Sequence, residues 1–143
     1  MTATRLQSRR ARAIRIHCPI EESSLRAFLV GDGGAIERDP AAGRVLAIIR
    51  ASNPLGDFGL YEGVVEIGAG FESFVPTAAA RPAMGASGSA TLSPTAILTT
   101  FVAEDAPADA VESALAAILD AHPWEVPVIE SYWTELLERA PGA

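Results

Sequence analysis

The residues best suited to chemistry lie in one short segment, His122-Pro123-Trp124-Glu125, at the end of an amphipathic pattern. An imidazole titrates near neutral pH, and a carboxylate three positions later could tune it or fix its tautomer. We therefore consider His122 and Glu125 as catalytic acid–base groups or as ligands of a divalent metal ion. The alternative for His122 is structural, because a histidine at the end of a helix can cap the last carbonyl groups.

The chain has one further histidine and a single cysteine, which are adjacent at His17 and Cys18. On a strand these neighbours point to opposite faces, so they cannot chelate one ion together. Cys18 is either a nucleophile with His122 as its base or a buried, inert thiol. A catalytic zinc needs about three protein ligands, so a metal site would have to be shared between subunits.

A long extended segment, Leu60 to Val75, carries a second set of candidates. Tyr61, Glu62 and Glu66 are candidate ligand-binding residues, and Glu62, Glu66 and Glu72 share one face if no bulge intervenes. Such carboxylates could bind a cation or an amine, or could simply form a solvated strand face. Glycines within this segment predict a bulge or a bend, at Gly63, Gly68 and Gly70.

The two tryptophans are the remaining candidates for a ligand site. Trp124 and Trp133 could wall a pocket, or could anchor the core or a subunit interface. We include Trp124 among the candidate ligand-binding residues because it could supply such an aromatic wall.

Composition excludes several classes of function. All 11 basic residues are arginines, so lysine Schiff-base chemistry and a phosphate-loop lysine are absent. The formal net charge of −7 disfavours nucleic acid as a partner, and no apolar run approaches the ~20 residues of a membrane span. The basic N-terminus is not followed by the apolar core of a signal peptide, and a single cysteine excludes an intrachain disulfide framework, so we expect a cytoplasmic protein. No cofactor is firmly implied beyond the divalent metal ion considered above. Residues 1–12 are predicted to be a flexible basic leader, and 13–143 a single domain.

Periodicity and turn signals predict two units in which a strand is followed by a helix and a further strand. Asp39-Pro40 is typical of a helix entry, although a buried strand over 44–51 is an alternative. The remaining elements are a loop over 76–88, a helix between Glu104 and His122, a short closing helix over 133–139, and strands over 25–30, 60–75, 95–102 and 126–132. This order is that of an α+β ferredoxin-like β-α-β-β-α-β sandwich with a four-stranded antiparallel sheet. The segment 13–18 is left over and is predicted to be an extra N-terminal strand.

Several motifs occur together along residues 25–132. A helix ends in His122-Pro123-Trp124-Glu125, and the upstream positions that match are Gly56, Gly59, Tyr61, Phe74, Pro76, Ala80, Pro82, Met84, Gly85 and Gly88. In these motifs the chain resembles the small domain of the Nif-three family (NGG-one interacting factors) and its free-standing bacterial relatives, which are similar to the CutA proteins. Tryptophan stands where that family has a tyrosine after His-Pro.

The resemblance implies a CutA-like homotrimer with edge-to-edge sheets and pockets between subunits. It implies a small-molecule or metal-binding, regulatory role, without an established reaction. The alternative is a cofactor-independent isomerase, cyclase or hydrolase that uses His122 with a pocket carboxylate.

Overall fold

The first strand is central to the sheet and is longer than the sequence pattern predicts. In the computed structural model, which describes residues 3–141, the elements are β1 (Leu6–Pro19), α1 (Glu22–Leu29), α2 (Ala35–Arg38), α3 (Pro40–Arg50), β2 (Val65–Phe74), β3 (Thr91–Ala103), α4 (Ala108–Ala121) and β4 (Ile129–Arg139). The sheet order is β2-β3-β1-β4, and every neighbouring pair is antiparallel. This is an α+β, ferredoxin-like arrangement, as predicted.

The helices cover one face of the sheet. Ile14, Ile16 and Cys18 alternate along β1 and pack into a core with Leu98 of β3 and apolar residues of the helices. The other face of β1 carries His17 and Arg15, whose backbones pair with Ile97 and Thr99. We call this second surface the open face. Charged side chains of three strands lie on this open face, among them His17, Glu72 and Glu130.

Three predictions at the N-terminal side are wrong. The segment 13–18 is the first of the four strands rather than an extra one, and residues 6–12, assigned to the leader, form the first half of β1. The segment 25–30, predicted to be a strand, lies largely in α1. Leu25 is the buried residue of that helix and packs on the core, which a short amphipathic helix achieves as well as a strand.

The helix entry at Asp39-Pro40 is confirmed, and the alternative strand over 44–51 is wrong. The Asp39 carboxylate accepts hydrogen bonds from the N–H groups of Ala41 and Ala42, the donors that a helix start leaves unpaired. Its second oxygen accepts from Glu21 N–H and from the Ser24 hydroxyl. Asp39 therefore starts α3 and holds the entry to α1 against it.

The long second strand is shorter than predicted and has no bulge. Val65 to Phe74 pairs with β3 in an unbroken register, so Gly68 and Gly70 are ordinary ladder positions without side chains on the open face. Gly56 lies before the strand with a φ of +67°, and a Cβ there would meet Val64 backbone atoms at 2.6 Å. The loop predicted over 76–88 is present.

The closing helix predicted over 133–139 is wrong, because β4 continues to Arg139. Its residues pair with β1 along the whole length, from Ile16 with Ile129 to Leu6 with Arg139. The helix α4 ends before His122 as predicted. In α4, Val111 and Ile118 are buried, whereas Leu119 is 54% exposed. None of the helices in residues 3–141 has the length and apolarity required to cross a membrane.

Candidate functional site

A cleft of about 440 Å³ lies at the end of the sheet where β2 finishes and β4 begins. The loop between β2 and β3 forms one side, and the segment between α4 and β4 forms the other. Its lining is Glu72, Ser73, Phe74, Val75, Pro76, Thr77, Ala80, Pro82, Ala83, Met84, Trp124, Glu125, Val126 and Val128. The cleft thus combines the loop singled out in the sequence with the segment that follows His122.

His122 stands behind this cleft and uses both of its ring nitrogens. Its Nδ1 accepts from the Trp124 N–H at 3.2 Å, so Nε2 carries the proton and donates to the His17 carbonyl at 2.6 Å. The ring is buried, with 7% of the residue exposed. It bonds to no carbonyl of α4; the His122 backbone N–H instead reaches the Ile118 and Leu119 carbonyls. The ring ties the segment after α4 to the end of β1.

Glu125 is hydrogen-bonded to the loop on the other side of the cleft rather than to His122. One of its carboxylate oxygens accepts from the Arg81 N–H in the facing loop, which links the two sides of the cleft. The structure thus does not join His122 and Glu125 into the pair considered from sequence. Across residues 3–141, no group of three or more His, Cys, Asp or Glu side chains is arranged to hold a metal ion.

Two aromatic rings form the apolar wall of the cleft. Phe74 at the end of β2 and Trp124 meet edge to face, with ring centroids 5.2 Å apart. Trp124 also contacts the His122 ring at a centroid distance of 6.0 Å. Trp133 lies elsewhere, on β4, where the Arg10 guanidinium stacks 4.3 Å from its ring centroid. Of the two tryptophans, Trp124 is the one that lines the cleft.

A group that sequence reasoning missed lies on the open face beside the cleft. His17 stands between two carboxylates, with Nδ1 3.9 Å from Glu72 Oε1 and Nε2 3.8 Å from Glu130 Oε1. These separations exceed hydrogen-bond length, and Glu72 Oε1 and His17 Nε2 are buried without a hydrogen-bond partner. Arg15 pairs with Glu130 at 3.0 Å, whereas no arginine of residues 3–141 pairs with Glu72. In the sequence, the alternation of His17 with Cys18 indicates only that the two residues lie on opposite faces of a strand. The approach of the His17 ring to Glu72 depends on long-range strand pairing.

Cys18 lies on the opposite side of the sheet, inside the core. Its thiol contacts the Pro19 carbonyl at 3.7 Å, and burial, followed by the charge of Asp39, raises the pKa of the thiol from 9.0 to about 12. A thiol in this state is a poor nucleophile near neutral pH. The geometry agrees with the buried, inert alternative and does not pair Cys18 with His122.

The remaining predicted ligand-binding residues lie at the other end of β2. Tyr61 and Glu62 are exposed in the segment before the strand, and Glu66 is exposed near its start. The strand β2 is ten residues long from Val65 to Phe74, a length of roughly 30 Å. Tyr61, Glu62 and Glu66 are therefore not brought together with Trp124, whereas Glu72, on the same face as Glu66, is.

Neither a protein-family model nor a curated protein matches this chain. Among solved structures, the fold is similar to that of a Bacillus cereus protein related to NIF3, with a TM-score of 0.58 at 16% sequence identity. The match covers 92% of this chain and 27% of that one, so the chain spans about a quarter of its neighbour's length. This likeness shows a NIF3-like fold.

Proposed function

We propose that this protein binds a small molecule in the cleft beside Trp124 and functions as a cytoplasmic, CutA-like homotrimer related to the small domain of the Nif-three family. The observation that carries the proposal is the cleft itself. It has aromatic walls at Phe74 and Trp124 and two carboxylates, Glu72 and Glu125, which is the mixture of apolar surface and few polar groups typical of ligand sites.

The sheet supports the assembly part of the proposal. Both outer strands, β2 and β4, have an edge that no other strand of residues 3–141 covers. An uncovered strand edge is a template for pairing with another chain. Val126 and Val128, which lead into β4, are 82% and 41% exposed and also line the cleft, so a subunit paired along β4 would lie close to the ligand.

The geometry favours binding over catalysis by His122. An acid–base role would require the ring to give up its hydrogen bonds to the His17 carbonyl and to the Trp124 N–H. Those bonds hold the segment that shapes the cleft. His122 therefore serves the proposed function as a positioning residue.

Native mass spectrometry combined with a thermal-shift screen of chemically diverse metabolites tests this proposal. We expect a trimer and at least one compound that raises Tm, with the shift lost in Trp124→Ala. Leu60→Ala, which removes a 93% exposed apolar side chain in a remote loop, is the matched control and should keep the shift. A monomer, or stabilising compounds that act equally on the Trp124→Ala variant, would contradict the proposal.

A further inference from the structure

The charges that line the cleft all have one sign. Glu72 and Glu125 are its two charged residues, and no arginine or histidine is among the lining residues. Apart from Ser73 and Thr77, the other lining residues are apolar or aromatic. The cleft is thus a negatively charged pocket with a hydrophobic body.

Neither of these two carboxylates is among the acidic groups of residues 3–141 that are paired with an arginine. Elsewhere, six arginines form ion pairs with an acidic side chain within 4.0 Å, at Arg9, Arg10, Arg15, Arg26, Arg38 and Arg50. Within residues 3–141, no arginine side chain pairs with Glu72 or Glu125. Of the basic side chains in residues 3–141, only the His17 ring lies within 4.0 Å of either carboxylate, at 3.9 Å from Glu72.

Glu72 is the more deeply placed of the two. Only 18% of its side chain is exposed, its Oε1 has no hydrogen-bond partner among the described residues, and the His17 ring is 3.9 Å away. A buried carboxylate without a bonded partner is costly, and a cation that enters the cleft would recover part of that cost. Oε1 itself is inaccessible beside the His17 ring, so a cationic ligand would meet this carboxylate through the part of it that lines the cleft.

The aromatic wall suits the same kind of ligand. Phe74 lies directly beyond Glu72 on β2, and its ring meets Trp124 edge to face at 5.2 Å. The faces of tryptophan and phenylalanine rings attract cations as well as apolar groups. A volume of about 440 Å³ is within the usual range for small-molecule sites.

We infer that the ligand is an organic ammonium compound with an apolar or aromatic body, whose cationic nitrogen is held at Glu72 and whose body packs on Phe74 and Trp124. This inference rests on the proposed function, because it names the ligand class of the same cleft. Charge complementarity in a partly desolvated site makes the ammonium group the main determinant of selectivity.

Three probes of similar shape and different charge test the inference by titration calorimetry with the full-length protein. They are 2-phenylethylamine, 2-phenylethanol and 3-phenylpropionate. We expect the amine to bind at least tenfold more tightly than the alcohol, and the carboxylate to show no binding. Glu72→Gln, which keeps the side-chain shape, should weaken the amine at least tenfold and leave the alcohol within twofold.

Glu112→Gln is the matched control, because it removes one negative charge from the exposed side of α4 and should change amine binding less than twofold. Equal binding of amine and alcohol, or amine binding unchanged by Glu72→Gln, overturns the inference while leaving a small-molecule cleft. Binding of none of the three probes at millimolar concentration also overturns it. The proposed function fails separately, if no compound of any charge raises Tm in a way that Trp124→Ala abolishes.

Discussion

At the residue scale, His122 stands out in the sequence as a candidate for chemistry, but in the structure its ring holds two segments together. It is one of two histidines, and its ring bridges the end of β1 and the backbone of Trp124. Its position at the end of a helix, followed by proline, was visible in the sequence. The carbonyl that it binds belongs to His17, far away along the chain, and so could not be predicted.

Replacing His122 with alanine should lower the free energy of unfolding by about 1–3 kcal/mol, because the His17 carbonyl and the Trp124 N–H lose a buried partner. Urea denaturation measures this change. Glu125→Gln is the control, since it retains an oxygen for the Arg81 N–H and should change stability by less than about 0.5 kcal/mol. A His122→Ala variant as stable as the wild type would show that the ring does not hold the two segments together.

Cys18 gives a pH-dependent prediction. In the unfolded chain its thiol ionises near pH 9.0, whereas in the folded protein burial raises its pKa to about 12, so only the unfolded state loses the proton between these values. The stabilisation is complete below pH 9 and is lost as pH rises, by up to about 1.4 kcal/mol per pH unit. Denaturation of wild type and Cys18→Ala between pH 8 and 10.5 checks this. The wild type should lose stability more steeply, and parallel curves would contradict the assignment.

At the scale of elements, the best-predicted parts are those with local signals. The helix α3 was predicted from Asp39-Pro40 and an apolar spacing, and the structure shows the capping hydrogen bonds that the residue types require. The helix α4 and the loop over 76–88 follow in the same way. A cap or a proline acts within a few residues, so its effect can be deduced without knowledge of the fold.

The wrongly predicted elements are those whose structure depends on a distant partner. Trp133, Leu136 and Leu137 have helical spacing, yet they lie in β4 because β1 extends to Leu6 and offers a full ladder of hydrogen bonds. Ion pairs across the two strands, such as Arg9 with Glu138 at 3.3 Å, add to this pairing. Local propensity is weak compared with such tertiary pairing, so the same residues can adopt either structure.

At the scale of the whole molecule, the alternation of strands and helices sufficed to predict a ferredoxin-like sandwich, even though individual strands were assigned to the wrong residues. The candidate site was predicted only in part. Trp124 and Glu125 line the cleft because they are neighbours in sequence, whereas Glu72 and Phe74 reach it from the far end of β2. A site assembled from separate strands depends on register, which local patterns do not specify.

The free edge of β4 leads to a prediction about assembly. At the two ends of the β1–β4 ladder, the His17 N–H donates to the Val128 carbonyl at 3.0 Å and the Ala140 N–H to the Arg5 carbonyl at 2.9 Å. The register between them is unbroken, so even-numbered residues of β4 direct their backbone groups toward β1 and odd-numbered ones direct theirs outward. Glu135 therefore presents its N–H to the free edge, and Thr134 presents its N–H to β1.

Glu135→Pro should consequently block pairing through β4 while sparing the ladder within the subunit, because proline is tolerated where an edge N–H faces solvent. In a trimer built along this edge, the Tm of the wild type rises with protein concentration, since assembly stabilises the folded chain by mass action. The variant should be a folded monomer whose Tm does not depend on concentration. Thr134→Pro, one residue away, removes a bond to β1 and should lower the Tm of the subunit itself. If Glu135→Pro remains trimeric by native mass spectrometry, the subunits do not meet along the edge of β4, and the cleft is then not completed by a neighbour paired there.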